Sequence, residues 1–155
     1  MYLDADELAG IVDLFGFLHR DDLLDAVQEL AFRRDVPFDA EETDGAIDDA
    51  VEAFALVQFE RTGEPVLVAG PTAFPTVPDG AEDLPHILDV PRREVDRSAL
   101  AGPVRSRLEA AADRVREPDR ARDLIDVTYD AEAWTDVDLA DVRGRLENTA
   151  GNGPG

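Results

Sequence analysis

The stretch Ile47–Ala69, IDDAVEAFALVQFERTGEPVLVA, changes its hydrophobic period partway along, and that change sets the fold. Ile47, Ala50, Val51, Phe54 and Ala55 fall on one face of a helix. Val57 and Phe59 then alternate with Gln58 and Glu60, a gap containing Gly63 follows, and Val66-Leu67-Val68 forms a second apolar run. A period of about 3.6 residues that gives way to a period of about 2 and then a turn predicts a helix feeding a two-stranded ribbon.

Toward the N-terminus, two shorter helical patterns precede this one. The first runs from about Asp4 to Phe15: Asp4 and Glu7 have the spacing of a capping box, Leu8, Ile11, Val12 and Phe15 make an apolar face, and Gly16 stands at a natural stop. Phe17-Leu18 is short and apolar, enough for a small strand. The second helix is expected from about Arg20 to Arg34, with His19 near its start and Arg33 and Arg34 where positive charge suits the helix dipole. Pro37 holds Val36 extended and forces a turn, so that Asp39 or a neighbour begins the third helix. Two helices joined by a tight turn and closed by a hairpin outline a winged helix-turn-helix.

Toward the C-terminus, Gly70-Pro71 opens a loop-like segment with prolines at 75, 78, 85 and 91, for which Phe74, Leu84, Ile87 and Leu88 are the expected apolar anchors. Pro103 suits the first turn of a helix whose inner face is Val104, Leu108, Ala111, Ala112 and Val115, stopping at Pro118. Shorter patterns follow at Ala121–Val127 and around Leu139, Val142 and Leu146. The fold class read from these patterns is mainly α with a small β-hairpin, an α+β arrangement. It divides into a winged-helix-like domain over 1–69, a proline-rich surface connector over 70–97, a helical extension over 98–148 packing on the first domain, and a disordered tail over 149–155.

Charge is the strongest compositional signal. Thirty-six acids face fifteen basic residues, all of them arginine, for a net charge of −21. Such a chain repels itself less in concentrated salt, where the screening length falls from about 8 Å at physiological ionic strength to about 3 Å at 1 M. Disorder does not follow, because 44% of the residues are hydrophobic and they are periodic. Without cysteine there are no disulfides, thiol chemistry or cysteine zinc sites. No apolar run is long enough to cross a bilayer, and MYLDADEL is acidic rather than an export signal, so a cytoplasmic location is expected.

The succession LAGIVDLFG, LLDAVQELAFRR, the acidic third helix, VLVAGPTAFPTVPDGAEDLPHILDVPRREVDR and YDAEAW resembles a family of haloarchaeal proteins of unknown function. The resemblance covers nearly the whole chain, and the last two segments are its most specific part. It implies a salt-adapted cytosol and carries no catalytic or binding residue with it.

A winged helix suggests DNA binding, in which the third helix meets the major groove and basic residues meet phosphate. Here residues 39–55 hold Asp39, Glu41, Glu42, Asp44, Asp48, Asp49 and Glu52 and no base. The ribbon adds Arg61 alone, beside Glu60 and Glu64. Positive charge gathers instead between Arg92 and Arg122, where the local balance is +3, against −18 over residues 1–91. Arg105, Arg107, Arg114, Arg116, Arg120 and Arg122 are the candidate anion or partner surface; the competing reading pairs them locally, as Arg105 pairs with Glu109 at i,i+4.

Enzyme chemistry is thinly supplied. Ser98 and Ser106 lie in no nucleophile motif, and no lysine serves a phosphate loop or Schiff base. His86 with Glu82 and Asp83 is the one conceivable metal or acid–base group, although a histidine in a proline-bracketed loop is ordinarily an anchor. Tyr129 and Trp134 are the candidate packing or contact aromatics: buried they anchor the extension, exposed they mark a protein contact. The function expected is a non-enzymatic regulatory or scaffolding module that binds protein partners, itself a possible homodimer, with no cofactor, no metal, no membrane and no nucleic acid on the third helix. A DNA-binding regulator using the Arg92–Arg122 segment or a dimer surface is the first alternative, and a metal-dependent protein around His86 the second.

Overall fold

The structure, a computed structural model, describes residues 1–151, and the expected disorder beyond Gly151 lies outside them. The chain forms two compact units, Met1–Val95 and Asp96–Gly155. It is mainly α-helical with one small antiparallel sheet.

In the first unit the order is α1 (Ala5–Phe15), β1 (Leu18–His19), α2 (Arg20–Arg33), α3 (Ala40–Glu52), β2 (Leu56–Arg61), β3 (Glu64–Ala69) and the four-residue α4 (Leu84–Ile87). Asp4 caps α1 in a complete capping box: its carboxylate accepts from the Glu7 amide at 2.8 Å, and Glu7 accepts from the Asp4 amide at 3.2 Å. Gly16, at φ +81°, ends the helix. A Cβ on Gly16 would stand 1.7 Å from the Arg93 carbonyl, so the segment after α4 crosses where only glycine fits.

Strand order is β1-β3-β2, both pairings antiparallel, with Leu18 opposite Leu67 and Phe59 opposite Val66. The ribbon is longer than its apolar alternation implies, because Glu60, Arg61, Glu64 and Pro65 continue the ladder on exposed positions. Its turn is only Thr62-Gly63, both at positive φ, the geometry that follows the twist of paired strands. Pairing with β1 stops at Val66, so the missing N–H of Pro65 falls beyond the three-stranded part.

The core joins Leu8, Ile11, Val12 and Phe15 of α1 to Leu23, Val27 and Leu30 of α2, Ile47 and Ala50 of α3, and Leu18, Leu56 and Leu67 of the sheet. The proline-rich segment belongs to this unit. The Thr76 and Phe74 amides donate to the backbone and side chain of Asp6 at 3.0 and 3.1 Å, and Ala81 and Leu84 enter the core. Two of its expected anchors do not act as anchors: Phe74 is 80% exposed and Ile87 is 39% exposed. The small Ala81, rather than Phe74, reaches the core. A Cβ on Gly10 would lie 2.1 Å from the Thr76 carbonyl, so α1 and this segment meet backbone to backbone.

The second unit begins with a 3₁₀ turn (Arg97–Leu100) and continues as α5 (Ala101–Arg114), α6 (Pro118–Trp134) and α7 (Ala140–Ala150). Leu100, Val104, Leu108, Ala121, Leu124, Leu139, Val142 and Leu146 are buried. The pattern at Ala121–Val127 and the YDAEAW cluster form one helix of 17 residues, opened by Pro118 at a first-turn position. The final helix runs to Ala150, two residues past the expected end of order.

Candidate functional site

Helix α3 is placed by what it buries. Thr43, Ile47, Ala50 and Val51 face the core, so the acids between them are carried to the other side. Glu41, Glu42, Asp48, Asp49 and Glu52 are exposed, and Asp44 is half-buried. Asp39 caps the helix, accepting from the Glu41 amide at 3.0 Å, and Glu41 and Glu42 occupy the first turn, where negative charge is favoured. From α2, Arg20 reaches across to Asp44 at 3.0 Å and Asp48 at 2.7 Å, and it also donates to the Asp44 carbonyl at 3.0 Å. Burial works to lower the Arg20 pKa, but its bonds to Asp48 and Asp44 outweigh that and raise it. The second helix therefore fixes the acidic helix through a charge-assisted clamp.

The candidate arginine surface is largely spent on internal partners. Arg105 pairs with Glu109 at 2.8 Å and with Asp141, and donates to the Asp138 carbonyl at 2.7 Å, joining α5 to the start of α7. Arg116 donates to the Asp113 and Val115 carbonyls at the end of α5, and Arg122 pairs with Asp119. Arg107 is half-buried and Arg114 exposed, and among the described residues neither has an ion-pair partner. Arg120, in the first turns of α6, is half-buried. The strip is thus not continuous: its first member is consumed in a three-way bond.

The two aromatics do not behave as a pair. Tyr129 is 56% exposed, with the Arg143 guanidinium 3.9 Å over its ring, so it does not anchor the helix inward. That work falls to Thr128 and Ala131, which are buried, and to Arg143, whose Nε donates to the Thr128 hydroxyl at 2.9 Å. Trp134 is half-buried at the end of α6, and the Arg97 guanidinium stacks 4.5 Å over its ring. A cleft of about 500 Å³ opens there between Arg97, Ser98, Glu132, Trp134, Thr135 and Asp136. Sequence reasoning singled out Trp134 but missed Arg97, which lies 37 residues away and carries no periodic signal.

His86 is exposed on α4, and among the described residues no three histidine or acidic side chains converge to hold a metal ion. Ser98 donates its hydroxyl to Asp96 at 2.8 Å, a capping contact, and the same bonds hold the Asp96 carboxyl below its ordinary range. His19 stands at the N-cap of α2 with its Nε2 3.5 Å from Glu64 at the start of β3. On the sheet, Phe17 meets Phe59 edge-on at 6.5 Å, and Arg61 and Arg93 lie 4.8 and 4.2 Å over its ring.

These features define a mainly α-helical protein with a small antiparallel sheet and an acidic helix displayed on its surface. The chain belongs to a family of unknown function (DUF7109), which it matches over residues 6–151. No curated protein and no solved structure matches it. Among the described residues no helix is long and apolar enough to cross a membrane.

Proposed function

We propose that the protein is a non-enzymatic regulatory or scaffolding module of a salt-rich cytoplasm, and that it binds protein partners through the outer face of α3. The first unit has the element order and strand order of a winged helix, α1-β1-α2-α3-β2-β3 with β1 paired to β3, which supports assigning it to that architecture. In such a module α3 is the helix presented to a ligand. The observation that carries the reading is that this helix bears six acids and no base, with all but Asp44 exposed. Salt weakens the repulsion between such a face and a polyanion but supplies no attraction. The complementary ligand is a protein surface that offers cations or hydrogen-bond donors.

A photo-crosslinking residue in place of Asp49, used in a native high-salt lysate, tests this. A discrete protein adduct that is competed by unlabelled protein, and weakened in the variant E41Q/E42Q, is expected. Saturable binding of duplex DNA, weakened when Arg107 and Arg114 become Gln, would replace the reading with the DNA-binding alternative.

A further inference from the structure

The cleft at the end of α6 is built by three local devices. Asp96 caps the 3₁₀ turn, accepting from the Ser98 amide at 3.0 Å and its hydroxyl at 2.8 Å. Buried Thr135, the residue after α6, donates its hydroxyl to the Arg97 carbonyl at 2.7 Å. Arg97 then folds its side chain back over the indole of Trp134, and its Nη1 donates to the Trp134 carbonyl at 3.0 Å. The turn and the helix end are fixed to each other before any ligand arrives.

What is left unused there is all of one kind. The Nε/Nη2 edge of Arg97 has no acceptor among the described residues, and neither has the indole N–H of Trp134. Arg97 is an exposed residue, and the half-buried Trp134 indole N–H is not among the buried polar atoms without a partner, so it reaches solvent. The neighbouring acids are mostly committed: Glu132 accepts from Arg143 and from the Leu139 amide at 2.9 Å, and Asp96 holds the turn. Asp136 remains as one exposed acid at the rim.

From this arrangement we infer that the Arg97–Trp134 cleft binds a small carboxylate carried on a flat apolar body. The side-on edge of a guanidinium matches the two oxygens of a carboxylate, and the part of Trp134 that lines the cleft supplies an apolar surface and one more donor. A single guanidinium beside an acidic rim balances one negative charge, which favours a carboxylate over a doubly charged phosphate. The cleft is open to solvent, so a ligand there keeps part of its surface in water. This site is independent of α3, so failure of either reading leaves the other standing.

Trp134 is the sole tryptophan in the chain, so its fluorescence reads the cleft directly. The test is a titration of the full chain in molar potassium chloride with benzoate and with its uncharged isostere, benzamide. Benzoate is expected to give a saturable change, benzamide none at the same concentrations, and R97Q to bind benzoate at least about tenfold more weakly. R114Q, which alters no group at the cleft, is expected to match the parent. The proposal is overturned if benzoate gives no saturable change, if benzamide binds equally well, or if a folded R97Q keeps the parent affinity. Should R97Q fail to fold, the benzoate–benzamide comparison on the parent chain decides alone.

Discussion

The guanidinium of Arg143 on α7 and the carboxylate of Glu132 on α6 form an ion pair whose side chains are only 13% and 27% exposed. Arg143 also bonds the Thr128 hydroxyl and covers the Tyr129 ring. By contrast, Arg20, Asp44 and Asp48 are 31%, 50% and 71% exposed. Exposure decides the ranking, since a charge left without its partner is costly away from water and cheap within it. R143L is expected to lower stability by about 2 kcal/mol, and R20Q by about 0.5–1 kcal/mol. Urea unfolding at fixed high salt checks both.

Two glycines should respond oppositely to alanine. G10A drives a Cβ to 2.1 Å from the Thr76 carbonyl, which belongs to backbone and cannot rotate away. A loss of about 1–3 kcal/mol is expected. Gly144 lies within α7 with nothing within 4 Å of the added carbon, so G144A should gain about 0.5–1 kcal/mol from helix propensity. Thermal unfolding of the two variants beside the parent checks the signs.

Much of this was legible in the sequence, because period and caps are local. The capping box at Asp4, the stop at Gly16, the change from helix to ribbon and the acidic outer face of α3 all follow from residues within a few positions of one another, although α3 ends at Glu52 and Phe54, expected on its face, lies outside it at positive φ. What was not legible depends on approach between distant segments. Phe74 resembles an anchor by size, but it is held to α1 through its backbone, its amide donating to Asp6, while its ring stays 80% exposed. The pattern at Ala121–Val127 and the YDAEAW cluster, read separately in the sequence, run on as one helix, with Thr128 between them buried. The partner of Trp134 was invisible because Arg97 reaches it through a turn fixed by Thr135, not through any spacing.

The pH response should isolate Arg105. Its hydrogen bond to Asp141 holds that carboxyl below the ordinary range and raises the guanidinium. A carboxyl whose folded pKa is depressed contributes stability that is fully present above its unfolded value, about 4, and is lost as pH falls through the folded value. D141N should therefore be less stable than the parent near neutrality, and the difference should shrink as pH drops below about 4. Melting temperatures taken across an acid series check it; a constant gap would contradict it.

The net charge predicts a dependence of folding on salt. With −21 on the chain, dialysis into low salt should diminish the helical circular dichroism signal, and restored salt should recover it. A spectrum unchanged between the two conditions would remove the salt-adapted reading while leaving the fold intact.

The most direct measurement places the photo-crosslinker at Asp49, on the outer face of α3, with a second copy of the experiment placing it at Asp130 on α6 as the comparison. A protein adduct formed from Asp49, reduced by E41Q/E42Q and not reproduced from Asp130, is the predicted result. Crosslinking of nucleic acid from Asp49, or protein adducts from Asp130 alone, would contradict the claim that this acidic helix is the partner-binding face.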